Sequence, residues 1–356
     1  MVSTILTVAA IAGTAMASCP LSVKLAGVAG HVAQVSVTNT GAEAVTVFKG
    51  NTVFSDHATK DLIVSDASGK EIPFEGVYVN YKKTGLAPSH FQTIQAGETI
   101  TVSVNAARSH KLAKIKSAKV QAIQGFRYAL GATAPDSLKD LLSCSDIITD
   151  AVDITPDQAI AAEEHITKRA GVSVVPRSRI AKRSITYHSC STSQTSSLQT
   201  SVSHTISMAS AAYTAANTAL YYYTTWFKAT STETKVRSIY NKVTGVQTTS
   251  PTISCTDTYS DCTDGSALLY TVPSANYIVP CPNNGFWGFP EYATTCADDD
   301  YDRAGSILHE VTHLYGTGDY AYGQTAAKQL SATQAAANAD TYEIYAGSVR
   351  LGGCSS

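Results

Sequence analysis

His309-Glu310-Val311-Thr312-His313 constrains this chain of 356 residues more tightly than anything else in it. Two imidazoles four positions apart reach one point only if the backbone between them is helical. Ile307, Leu308, Val311 and Leu314 give that helix an apolar context, which predicts that it lies in a core. Zinc is the ion that suits such a pair, and Glu310 stands where it can take a proton from a water molecule. A zinc site that does chemistry also needs a third protein ligand and one open position. Gly316-Thr317-Gly318-Asp319 follows directly. Gly316 can end the helix left-handed, Gly318 adds latitude, and Asp319 can then face the metal with a carboxylate oxygen. Tyr322, followed by Gly323, is a candidate donor to oxyanion charge that appears only in the transition state. Tyr315 and Tyr320 are expected at packing or rim positions.

The rest of the chain divides in two. Met1 to Ala17 is apolar and ends in Ala15-Met16-Ala17, which fits a signal peptide over 1–17. No later segment reaches the roughly 20 apolar residues of a membrane span, so a secreted, extracellular protein with no membrane partner is expected. Eight cysteines, none in a CxxC pair, agree with an oxidising compartment and argue against a cysteine zinc site. The whole-chain charge is −2, but residues from Ser184 onward carry 7 Lys and Arg against 13 Asp and Glu. That is −6, which leaves +4 upstream, so the two parts can attract each other. Nothing in this pattern suggests nucleic-acid binding.

From Cys19 to Ser143, alternating or β-branched runs such as Leu21, Val23 and Leu25, Val35 and Val37, and Ile100, Val102 and Val104 are separated by turn signals. They predict an antiparallel sandwich. A basic linker over 153–183 carries the dibasic pairs Lys168-Arg169 and Lys182-Arg183. Cleavage after Arg183 by a dibasic processing protease would separate 18–183 from 184–356. Beyond it Leu198, Val202, Ile206, Ala209, Tyr213 and Ala216 mark one face of a helix that runs to Phe227. A second helix is predicted over Ser231–Thr244, with Thr230 and Glu233 at capping-box spacing and Gly245 as its stop. Residues 250–300 suggest a loop-rich, disulfide-held region with a strand near Asn276–Pro280. Helices are expected over Arg303–Tyr315 and Thr333–Ala346.

His309-Glu-Val-Thr-His313 followed by Gly316-Thr-Gly-Asp319-Tyr-Ala-Tyr322-Gly323 resembles the HExxH plus GTxDxxYG pattern of the deuterolysins, fungal zinc endopeptidases also called neutral protease II or aspzincins. Asn39-Thr-Gly41, Ile72-Pro-Phe-Glu-Gly76, Thr84-Gly85-Leu86 and Ala96-Gly97-Glu98 are similar to that family's propeptide. Lys182-Arg183 is similar to its activation site, and Asn338-Ala-Asp340-Thr-Tyr342 to its late helix. The resemblance implies a β-sandwich-like propeptide followed by a mainly α, zincin-like catalytic domain with a small β element and disulfides. It implies His309, His313 and Asp319 as ligands of one Zn2+ per mature chain, Glu310 as general base and Tyr322 on the oxyanion side. It also implies the pairs Cys190–Cys255, Cys262–Cys281 and Cys296–Cys354. Sequence alone permits 15 pairings of those cysteines.

The loop between His313 and the GTxD motif is shorter than that family leads one to expect. The resulting HExxHxxGxxD spacing also matches metzincin-like secreted proteases and leaves Asp340 as a competitor for the third ligand position. Asp340 and Glu343 share a helix face and are either the lining of the S1′ pocket, favouring basic substrates, or a solvated surface. Protein and peptide substrates are the expected partners, with the propeptide itself assisting folding or blocking the cleft. The rival from another class is a non-catalytic secreted binding protein, which would need neither Glu310 nor an open zinc position.

Overall fold

The structure, a computed structural model, describes residues 19–144, 146–166, 184–297 and 300–354. The expected signal segment, both dibasic pairs, Asp298 and Asp299 lie outside the described residues.

Alternation of apolar and polar residues builds the amino-terminal half from antiparallel strands. β1 (Leu21–Ala29), β2 (Val32–Asn39) and β7 (Thr99–Asn105) form one sheet in the order β1-β2-β7. A second sheet runs β10 (Leu142–Ser143), β9 (Arg127–Leu130), β3 (Val45–Phe48), β6 (Phe91–Ile94). In the third, β8 (Ala118–Gln124) pairs with β4 (Leu62–Asp66), β11 (Ile147–Ile148) and β12 (Val152–Ile154). Along β2, Ala33, Val35 and Val37 point into the core, as a period of two requires. Val35, Val47, Val64 and Val120 bring all three sheets into one apolar cluster. Cys19–Cys144 ties the start of this half to its later strands. The short helix α1 (Gln158–Glu164), capped by Asp157, packs beside it.

The carboxy-terminal half is mainly helical. α2 (Thr192–Thr218) starts at Ser191, whose side chain caps Gln194. Leu198, Val202, Ala209 and Ala216 are buried on the expected face, while Ile206 and Tyr213 lie half-buried at its margin. The single helix expected to reach Phe227 is broken at Ala219, whose φ −122° and ψ 62° leave the helical region, and resumes as α3 (Leu220–Phe227). Tyr223, Trp226 and Phe227 are fully buried while Tyr221 stays exposed, so the aromatic run is core. α4 (Glu233–Thr244) stops at Gly245 as expected. Its predicted capping box does not form: Thr230–Thr232 is a 3-10 turn, and Glu233 pairs with Arg237 at 3.3 Å instead. α5 (Arg303–His313) packs between α2 and α6 (Ala339–Arg350). The helix expected from Thr333 is split in two: a single turn, Ala332–Ala335, ends before Asn338, which binds a loop described below, and α6 resumes at Ala339.

Within the loop-rich region lie three strands, β14 (Thr252–Ser254), β15 (Ala267–Val272) and β16 (Tyr277–Pro280). With β13 (Thr186–His188) and β5 (Tyr78–Tyr81) they make one sheet in the order β13-β14-β16-β15-β5. β13, β14 and β16 are mutually parallel, β15 runs antiparallel to β16, and β5 is antiparallel to β15. The fifth strand thus belongs to the amino-terminal half. Disulfides join Cys190–Cys255, Cys262–Cys281 and Cys296–Cys354, the pairs that the family resemblance implied. Among the described residues, no helix is long and apolar enough to cross a membrane.

Candidate metal centre

α5 begins at Asp302, whose carboxylate caps Gly305 and also accepts from the Ala293 amide at 2.7 Å. Every residue of the helix after Arg303 is buried. That burial follows from its position between α2, α6 and the sheet, and it places both imidazoles in the interior. Gly316 then adopts φ +96°, the left-handed turn that returns the chain toward the helix. Gly318 bonds through both its N–H and C=O to Ala337 and Ala339. Asp319 arrives facing the two histidines.

His309 Nε2 lies 3.2 Å and His313 Nε2 3.5 Å from Asp319 Oδ1. Ligand atoms about 2.1 Å from a tetrahedral zinc stand roughly 3.4 Å apart, so these three atoms fit as three corners around one ion. All of them are buried without a hydrogen-bond partner, as are Asp319 Oδ2 and Glu310 Oε1. Five orphaned polar atoms in a protein interior carry a heavy desolvation cost. A cation at their common centre removes that cost for the ligand atoms, so the residues present fit a zinc ion.

The surroundings prepare each group for that role. His313 Nδ1 faces the Thr317 carbonyl at 3.2 Å, so donation from Nδ1 leaves Nε2 with its lone pair toward the metal position. Burial pushes the His313 pKa down to about 4, keeping the ring neutral. His309 is also buried, yet Asp319 and Glu343 outweigh desolvation and raise its pKa. Its Nδ1 is 3.3 Å from Glu343 Oε2 and 3.9 Å from Asp340 Oδ1. Burial acts to raise the Asp319 carboxyl, but the two histidines and Tyr322 overcome it and keep the group ionised. For Glu310, burial dominates and lifts the pKa to about 8. Its Oε2 accepts a 2.7 Å hydrogen bond from the Thr271 hydroxyl on β15.

Tyr322 is buried beside this cluster, and desolvation raises its pKa well above 10, so it remains a donor. Its hydroxyl donates to the Val79 carbonyl at 2.5 Å and accepts from Asn51 Nδ2 at 2.9 Å. The Arg127 guanidinium lies 4.6 Å from its ring centre. Tyr315 bonds Thr249 at 2.9 Å and Tyr320 is exposed, at packing and rim positions.

Asp340 and Glu343 come together on α6, but behind His309, on the side opposite Asp319. His309, Asp340 and Glu343 also form a second group with mutually close ligand atoms. The Lys83 ammonium lies 3.3 Å from Asp340 Oδ1. Burial raises the Asp340 carboxyl against the pull of Lys83, whereas for Glu343 Lys83 and His309 prevail over burial and lower it. Neither residue is on a solvated face. Sequence reasoning missed two positioning residues. Thr271 falls in a region that reads as loop-rich in the sequence. Asn338 accepts from the Tyr320 and Ala321 amides at 2.8 and 3.1 Å and so anchors the loop that carries Asp319.

Residues 212–347 match the aspzincin family, described as lysine-specific metallo-endopeptidase. Over nearly full length the chain is similar to a neutral protease 2 homolog of Phaeosphaeria nodorum, with 33% identity over 98% of this chain and 99% of the relative. A neutral protease 2 homolog of Sclerotinia sclerotiorum is 30% identical over 93% and 90% of the two chains. One of Colletotrichum graminicola is 31% identical over 94% and 92%. These relatives set aside the non-catalytic scaffold, and the chain belongs to the neutral protease 2, or deuterolysin, family of zinc metalloendopeptidases.

Proposed function

We propose that the protein is a secreted precursor, with a signal peptide over 1–17, a sandwich-like propeptide over 18–183 and a mature endopeptidase over 184–356. His309, His313 and Asp319 hold the metal, and the observation that carries this is the trio of buried, unpartnered ligand atoms 3.2 and 3.5 Å apart. On this reading Asp340 supports His309 rather than serving as the third ligand; its Oδ1 lies toward Nδ1, whereas Asp319 Oδ1 lies toward Nε2.

A zinc ion bound there supplies Lewis acidity that polarises the scissile carbonyl and acidifies the attacking water. Glu310, held by Thr271 through one oxygen, takes the water proton on the other and returns it to the leaving amine. Burial, which lifts its pKa, favours keeping the proton until it is passed on, while the charge of a bound dication pulls the other way. Tyr322, protonated and rigid, donates to the oxyanion as it forms. Asp340 and Glu343 attract a Lys or Arg side chain after the scissile bond; the buried Lys83 ammonium beside Asp340 supports that preference. Maturation proceeds by cleavage after Lys182-Arg183, which falls in sequence between two halves that each have an apolar core of their own and share a third apolar cluster.

The test is mass-spectrometric mapping of cuts in denatured protein, with chelator and then with zinc restored. Cuts should vanish and return, with Lys or Arg enriched after them. Glu310→Gln should keep one zinc and lower turnover by roughly 10²- to 10⁴-fold; near-normal turnover would remove Glu310 from its role.

A further inference from the structure

We infer that the segment Tyr78–Lys83 is a built-in occupant of the peptide-binding edge of the catalytic half, so that the uncut chain is held inactive by a strand in its own cleft. This rests on the reading of residues 184–356 as a zinc endopeptidase and adds how that site is regulated.

Of the four strands that the carboxy-terminal half contributes to this sheet, β15 lies at one outer edge and β13 at the other. One edge of β15 pairs with β16, and Thr271 on the strand touches Glu310, so the other edge runs along the metal centre. A free strand edge beside a catalytic group is a ready template for an extended peptide, whose backbone it binds whatever the side chains. β5 takes that edge antiparallel, with Tyr78 opposite Thr271, Val79 opposite Tyr270 and Asn80 opposite Leu269. The ladder therefore reaches the residue that holds the general base.

The same short run engages the rest of the machinery. The Tyr78 ring stacks on the His313 imidazole, 4.4 Å between centres and 7° from parallel. The Val79 carbonyl accepts the Tyr322 hydroxyl, the donor assigned to the oxyanion. The Lys83 ammonium occupies the Asp340 carboxylate, where a basic substrate side chain is expected to bind. The seam also buries apolar side chains, with Val79 and Tyr81 in one cluster with Tyr270 and Val279; beyond that packing, this one run satisfies edge, ligand ring, oxyanion donor and acidic pocket together. Asn51 and Arg127, also from the amino-terminal half, close over Tyr322.

An occupant in the same chain competes at an effective concentration on the order of millimolar. A cut after Arg183 makes the competitor a separate molecule, so release then depends on dilution or on destruction of that half. The direction of β5 also states how substrate lies: extended and antiparallel to β15.

The test uses the full zinc-loaded chain with Lys182→Gln and Arg183→Gln to prevent processing, beside the processed protein. The uncut chain should hydrolyse an unfolded protein at least ~30-fold more slowly at equal zinc content. Tyr78→Ala with Lys83→Met should raise its rate about 10-fold without any cut. Hydrogen exchange supplies a readout free of activity and of the variants: amides of 267–272 should exchange slowly in the uncut chain and faster after processing and separation. Equal exchange, or an uncut chain as active as the processed one and still sensitive to chelation, overturns the inference and leaves the endopeptidase standing. Inactivity of both forms at full zinc occupancy removes the endopeptidase reading, and the inference with it.

Discussion

Thr271 shows how a single hydroxyl can decide the aim of a catalytic carboxylate. It is fully buried and donates to Glu310 Oε2 at 2.7 Å, while Oε1 is left without a partner. One oxygen is therefore fixed and the other is kept for the proton. Thr271→Val preserves shape and removes the donor. Losing a hydrogen bond to a charged group costs about 1.5–3 kcal/mol, so kcat should fall roughly 10- to 100-fold. Zinc content and KM should stay near their original values, and Thr271→Ser should recover most of the rate. Unchanged kcat in the valine variant would show that Glu310 needs no such anchor. His309, Glu310 and His313 were legible in the sequence because their relation is local: spacing on a helix fixes which side chains meet. Asp319 was legible because two glycines announce the turn before it. Thr271 was not, since it lies 39 positions from Glu310 in a region that reads as loop-rich apart from a strand near Asn276–Pro280.

The loop of residues 316–321 and the start of α6 depend on each other. Asn338 accepts two amides from the loop, donates to Thr341 at 3.0 Å, and stands in a parallel bridge with Gly318. This explains why the final helix starts at Ala339: helical pattern alone runs through Asn338, whereas the loop requires its carboxamide outside the helix. Asn338→Ala would strand the Tyr320 and Ala321 amides, at about 1–3 kcal/mol each. The cost falls on the loop that presents Asp319. Zinc affinity, measured by titration against a competing chelator, should drop by at least ~10-fold, with global melting of the metal-free protein lowered less than its zinc-bound form. Equal lowering of both forms would make Asn338 a general fold residue instead.

Across the whole molecule, the +4 and −6 charges of the two halves had already implied attraction, but no pattern in the sequence said where they touch. β5 was not read as a strand at all, because Val79 and its partner Tyr270 stand 191 positions apart and the run Tyr78–Tyr81 is too short to signal alone. The contacts are specific: Lys83 with Asp340, and His57 with Asp261 at 2.9 Å and Asp264 at 3.5 Å. Burial acts to lower the His57 pKa, yet its hydrogen bonds to Asp261 and Asp264 win and raise it to about 9, and they help hold Asp264 below the usual carboxylate range. A solvated histidine titrates near 6.5. Because assembly raises the pKa, the contact stabilises fully below about 6.5 and is lost as pH rises through about 9. The shift corresponds to at most about 3 kcal/mol, roughly 100-fold in a dissociation constant. Asp61, in the same half as His57, is lifted to about 6 by burial and so titrates at the lower border of this window. Once the chain is cut after Arg183, the amino-terminal half should therefore separate far more readily at pH 9 than at pH 6.5. Gel filtration of the processed protein across that range measures it directly. His57→Asn should dissociate more readily at pH 6.5 and respond little to further alkalinity. A variant that keeps the wild-type pH response would place the proton-linked contact elsewhere in the seam.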